Sequence, residues 1–163
     1  MSEIWPVTEE GTVMIRLNAV FNFKQLYKLF QTFALENEYR FNEKNFTRKD
    51  KSDGSEYQIE WTMERKVTPF IRFRIDIEIW SLRTKEIEPE KFKGEIEINF
   101  DAIMEMDYDD KKNWEKSKFT RFLRNVYIYY IKKDYFLGYA GNLWEEIYEM
   151  HARAKSILNQ YVP

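Results

Sequence analysis

Between Phe119 and Tyr161 apolar residues return every three or four positions, and any fold of this chain must give that stripe a surface to lie on. In heptads, the first and fourth positions run from Phe119, Phe122, Val126 and Tyr129 to Leu143, Ile147, Met150, Ala154 and Ile157, interrupted only at Lys133. The fifth positions add Leu123, Tyr130, Leu137, Trp144, His151 and Leu158, which makes the stripe wider than a coiled-coil seam. It has the breadth of a helix pressed on a core. One continuous helix of that extent would run roughly 65 Å at about 1.5 Å per residue, against a diameter of roughly 40 Å for a compact domain of this size. Either the helix bends around Gly138 and Gly141, which sit away from the stripe, or its overhang meets a partner.

The rest of the chain supplies the surface. Val13 to Phe21 alternates with a period of two and reads as a strand. Asn22 then caps a helix, with Gln25 at the capping-box position and Phe21 placed to staple Leu26. Phe23, Leu26, Tyr27, Phe30, Phe33 and Ala34 form its core face, and Asn37 is the terminator. Residues 39–49 are an edge strand, and Asp50–Ser55 a turn in which Gly54 is free to take a positive φ.

Tyr57, Ile59, Trp61 and Met63, then Ile71 to Ile79, then Ile96 to Met106, each alternate with charged residues on the reverse. Keeping the first two apolar sets on one side requires an odd loop at Thr68-Pro69-Phe70. Ser81 to Lys93 reads as a charged connector. The fold class is α+β, a single domain over 1–163: a curved antiparallel sheet of about five strands, with an N-terminal helix and the long C-terminal helix packed on one face.

With no cysteine there are no disulfides, thiolate metal sites or cysteine nucleophiles. A single histidine rules out a multi-histidine cage, and a net charge of −2 disfavours a duplex-binding role. No basic region followed by an apolar run opens the chain, and no uncharged apolar window is long enough to span a bilayer. Few Pro and Gly with many Lys and Glu point to a cytoplasmic, heat-tolerant protein.

Motifs for chemistry are sparse. The acidic run Glu105, Asp107, Asp109, Asp110 lacks the glycine and the distal Glu of a calcium loop, so Glu105 and Asp107 read as the wet end of a strand. His151 has no carboxylate at an orienting spacing and reads as structural. No GxSxG and no glycine-rich phosphate loop exists, so neither a catalytic residue nor a cofactor or metal site is assigned.

Arg65, Arg72 and Arg74 cluster at one hairpin end as a candidate anion contact, set against cross-strand pairing with Glu64, Glu97 and Asp101. The feature that exceeds ordinary packing is a second apolar stripe on the C-terminal helix: Tyr127, Ile128, Ile131, Tyr135 and Gly138. A helix greasy on two faces is buried on both or meets a partner. The candidates are a protein partner, most simply a homodimer, a peripheral anionic membrane surface, or the chain's own Ile4 and Trp5 folded over it.

The order strand, helix, antiparallel strands, long terminal helix resembles the helix-grip domains of the START-like group. The segments FIRFRIDIEIW, KGEIEINFDA and SKFTRFLRNVYIYYI are similar to a set of small uncharacterised archaeal proteins. The helix-grip resemblance implies a small apolar ligand held between sheet and helix. Bulky Trp61, Phe73, Phe100 and Trp144 would tend to fill that space. The expectation is a non-enzymatic binding domain that uses its C-terminal helix as a protein interface, with an apolar-ligand carrier as the alternative.

Overall fold

The structure, a computed structural model, describes residues 3–8, 13–68, 71–106, 122 and 133–159. The strands are β1 (Glu3–Pro6), β2 (Met14–Phe21), β3 (Arg40–Lys51), β4 (Gly54–Lys66), β5 (Ile71–Glu88) and β6 (Lys91–Met106), and the helices are α1 (Phe23–Glu36) and α2 (Lys133–Asn159). The strands form one antiparallel sheet in the order β1-β6-β5-β4-β3. β2 shares the β1 edge, pairing with residues 92–99 of β6 while β1 pairs with 103–106. Six strands therefore occupy five positions across an open, curved sheet, and the fold is α+β as the sequence indicates. α1 carries the chain from one edge of the sheet to the other, and β3 to β6 return as a meander.

Alternation sets the faces. Ile59, Trp61, Met63, Ile71 to Ile79 and Ile96 to Met106 turn inward in one core with Leu26, Phe30 and Phe33 of α1 and Leu143, Ile147, Met150, Ala154 and Leu158 of α2. The β4–β5 connection keeps register by its odd length: Val67 N–H donates to the Ile71 carbonyl at 3.0 Å, and three residues of sequence separate the two.

α1 begins where its sequence directs, with the Asn22 carboxamide oxygen accepting from the Lys24 and Gln25 amides. Its end is a Schellman motif rather than a simple Asn37 terminator. Tyr39 N–H reaches the Ala34 carbonyl at 2.7 Å, Glu38 N–H reaches Leu35 at 3.4 Å, and Glu38 takes the left-handed conformation at φ 61°. The Tyr39 ring stacks on Phe33 and completes the motif's apolar contact.

Several expectations need correction. Ser81 to Lys93 is no connector: β5 runs on to Glu88 and β6 starts at Lys91, so the two strands form one long hairpin. At about 3.3 Å per residue, the 18 residues of β5 span roughly 60 Å. The 27 described residues of α2 span about 40 Å, and residues 119–132 of the expected helix, Phe122 apart, lie outside the described residues. Residues Glu3–Pro6 extend the sheet edge, with Ile4 half exposed, and most of the stripe they were a candidate to cover lies outside the described residues. Glu105 is buried rather than wet, and Asp107 to Asp110 lie outside the described residues.

On α2 the fifth-position residues drift: Leu137 and Trp144 are exposed, His151 is half-buried and Leu158 is buried. A straight helix of 3.6 residues per turn rotates about 20° per heptad against a strict seven-residue pattern, which carries that line of residues inward along its length. Phe122, also on the expected core stripe, is exposed.

Candidate functional site

Arg65, Arg72 and Arg74 do not converge. Arg65 pairs across the ladder with inward-facing Phe73, while Arg72 and Arg74 stand on the outer face. Arg65 Nη2 donates to Glu146 Oε1 at 2.9 Å and its Nη1 to the Asn37 carbonyl at 2.8 Å, with the guanidinium over the Tyr39 and Phe73 rings. Tyr39 Oη donates to the other Glu146 oxygen. Burial first, and then the adjacent Glu146 carboxylate, push the Tyr39 hydroxyl well above the ordinary tyrosine range.

This part-buried polar network ties the end of α1, the start of β3, the end of β4 and α2 together. The anion that Arg65 holds is therefore the chain's own. Arg72 Nε donates to Glu105 Oε2 at 2.7 Å, and Arg74 lies 3.4 Å from Asp76 and directly across from Glu64. The expected anion contact is corrected: each arginine faces an internal carboxylate at a different place. Sequence spacing could not show this, because Glu146 lies 81 residues from Arg65.

His151 has a structural post. Its Nε2 donates to the Met14 carbonyl at 3.0 Å, a group that points out of the β2 edge away from β6. The ring stands edge-on to Phe100 and near Tyr148, so it seals the seam between α2 and the sheet edge.

Of the expected interface residues, Tyr127, Ile128 and Ile131 lie outside the described residues, and Tyr135 falls in α2 with its side chain outside the description. Gly138 is exposed, and among the described residues nothing lies within 4 Å of where a Cβ on Gly138 or Gly141 would stand. Beside them the structure adds residues that the expected stripe did not contain. Leu137, Trp144 and Tyr148 are 52%, 37% and 46% exposed on one flank of α2, and the two aromatic rings meet edge-to-face at 4.8 Å. These positions recur at i, i+7 and i+11, the spacing of one helical line. The signal is in the sequence, but the heptad pattern places Leu137 and Trp144 on the core face.

Two larger concavities open at the surface. One, of about 610 Å³, lies between α1 and α2 beside Leu29, Thr32, Ala152 and Ile157. The other, of about 560 Å³, lies at the bend of the β5–β6 hairpin. Phe30, Phe33, Phe73 and Phe100, all at most 1% exposed, fill the space between sheet and helices where a carried ligand would sit. Among the described residues, no helix is long and apolar enough to cross a membrane, and no cluster of His, Asp and Glu could hold a metal ion. No family model, curated protein or solved structure matches the chain.

Proposed function

We propose that this domain acts by binding a protein through the exposed flank of α2, and that the simplest partner is a second copy of the chain. The observation that carries the reading is the Leu137–Trp144–Tyr148 line beside Gly138 and Gly141. Trp and Tyr are the residues that anchor interfaces, and glycines let a second backbone approach closely. α2 suits such a role because its opposite face is fixed. Its core residues are fully buried, and the Arg65–Glu146–Tyr39 network sets its position on the sheet. Two polar groups near α2 that could otherwise serve catalysis make structural contacts: His151 with a backbone carbonyl, Glu146 with Arg65 and Tyr39.

Light scattering coupled to gel filtration on the full chain tests this. The expected result is a dimer at high concentration that becomes a monomer in Trp144→Glu/Tyr148→Glu. Both changes are at exposed positions, so the variant should keep its circular dichroism spectrum and melting temperature. A wild-type chain that stays monomeric at high concentration overturns the self-association reading.

A further inference from the structure

The bend of the β5–β6 hairpin is built at a cost, and that cost points to a ligand. Arg83 takes a left-handed conformation, φ 51°, inside a strand. The ladder slips there, between Leu82 and Lys85 on β5. Two glycines make room for it from the two neighbouring strands. A Cβ on Gly54 would lie 2.7 Å from the Arg83 carbonyl carbon, and one on Gly94 would lie 2.8 Å from the Leu82 oxygen. The hydroxyls of Ser81 and Thr84, both buried, close the bulge by hydrogen bonding to each other. Bulges of this kind re-aim side chains, and non-glycine residues in the left-handed region concentrate at functional sites.

The side chains at this bend are cationic and poorly neutralised. Lys85 and Lys93 stand directly opposite each other in the ladder, an arrangement of like charges that destabilises a sheet. Both are exposed, and among the described residues neither has a carboxylate within ion-pair distance. Arg83 lies 3.6 Å from Asp53 and 3.5 Å from Glu95, beyond the length of a good charge-assisted hydrogen bond, and remains 67% exposed. Arg65 and Arg72, by contrast, hold their carboxylates with hydrogen bonds of 2.9 and 2.7 Å. Arg83 thus keeps donors available, while the two carboxylates hold the guanidinium near the groove.

Arg83, Lys85 and Lys93 line the 560 Å³ concavity together with Asn18, Ile87 and the two carboxylates beside Arg83, Asp53 and Glu95. Ala19 and Gly94, paired across β2 and β6, contribute only a methyl and backbone to its wall. That volume lies in the range of small-molecule sites.

We propose that this groove binds a phosphate group, with the Arg83 fork and the Lys85 and Lys93 ammonium groups as its donors. A multiply charged oxyanion fits better than a carboxylate, since it offers several acceptor oxygens to three separate cations and relieves the Lys85–Lys93 repulsion. A phosphate can come from a free phosphorylated small molecule or from a lipid headgroup. The site shares no residue with the α2 flank and is independent of that reading.

Amide shifts of the full-length chain, titrated with inorganic pyrophosphate at low salt, decide the matter. The expected result is a saturable shift at residues 53–54, 83–85 and 93–95 that weakens at least tenfold in Lys85→Ser/Lys93→Ser. Both replacements are at exposed positions, and a thermal transition no lower than that of the wild type verifies the fold. Arg83→Lys, which keeps the charge and loses the fork, is expected to weaken binding by a smaller factor.

Vesicles of phosphatidylcholine with and without phosphatidic acid separate the two sources. Pelleting only with the acidic lipid, lost in the double-serine variant, assigns the headgroup. Shifts with pyrophosphate and no pelleting assign the free small molecule. Absence of a saturable shift, a shift centred instead on Arg48, Lys49 and Lys51 of edge strand β3, or equal affinity in the double-serine variant overturns the proposal.

Discussion

From Ile71 to Ser81 every second residue of β5 is at most 1% exposed, whereas from Lys85 to Glu88 all four residues are exposed. The two stretches belong to one strand, paired with one neighbour, and differ in what lies beneath them. Under the first sit α1 and α2; the second stands off the core, with Phe92 its main apolar anchor against Phe21, Phe23 and Tyr57. Alternation is written into a sequence only where one face of a strand is dry. Where both faces are wet, backbone pairing alone holds the strand, and composition no longer betrays it.

The sharpest way to break the comparison is to cut the core under the first half. Phe100 is fully buried against Phe30 and His151. Phe100→Ala should cost about 3–5 kcal/mol, because the rigid sheet above it cannot collapse into the space. Urea unfolding followed by far-ultraviolet circular dichroism should show a lower midpoint with an unchanged slope.

The distal half should respond to backbone room instead of apolar volume. Gly94→Ala would place a methyl 2.8 Å from the Leu82 oxygen and 3.0 Å from the Thr84 Cα, both backbone atoms, so the ladder must shift. A cost of about 1–3 kcal/mol is expected, a large effect for one added methyl at a wet site. Arg83→Gly is the control. It relieves the left-handed residue, an interaction of roughly 1 kcal/mol, while raising the entropy of the unfolded chain by a similar amount, so the midpoint should hardly move. A Gly94→Ala midpoint equal to wild type would mean that the two halves do not differ in this way.

The part-buried network that fixes α2 makes a pH-dependent contribution of predictable sign. The Tyr39 hydroxyl is raised by burial and by Glu146, so in the folded chain it keeps its proton where an unfolded tyrosine would lose it. Its contribution is fully present below about pH 10, the unfolded value, and is lost as pH rises above it, because the unfolded state then binds fewer protons than the folded one. Tyr39→Phe should cost about 1 kcal/mol near neutrality through the lost hydrogen bond. It should also flatten the alkaline decline by up to one proton's worth, about 1.4 kcal/mol per pH unit. Denaturant midpoints from pH 8 to 11 for the two chains would show the curves converging; parallel curves would exclude Tyr39 as the titrating group.

Legibility followed the same division as the hairpin. The inward sets on β4, β5 and β6, the Asn22 cap and the odd length of the β4–β5 connection could be read because each is a local rule with a local residue pattern. The distal hairpin could not, since the slip at Arg83 breaks the period and exposed residues carry none. The Arg65–Glu146 pair was invisible for another reason: charge complementarity across 81 residues leaves no periodic trace. The exposed line on α2 was hidden by too good a pattern. Leu137 and Trp144 fit a heptad that a straight helix does not keep.

The smallest effect concerns the tip. Lys24 at the start of α1 reaches Glu90 in the β5–β6 turn, an ion pair between side chains 76% and 53% exposed. Exposed pairs of this kind contribute roughly 0–1 kcal/mol and are screened by salt, so Lys24→Ala should leave the global midpoint almost unchanged. If the distal hairpin opens independently of the core, its amides near Glu88–Lys91 should exchange faster in the variant while those of Ile75 and Ile98 do not. Hydrogen exchange read residue by residue distinguishes the cases. Faster exchange throughout the sheet would show instead that tip and core open as one unit, and the distinction between the two halves would then be one of packing but not of stability.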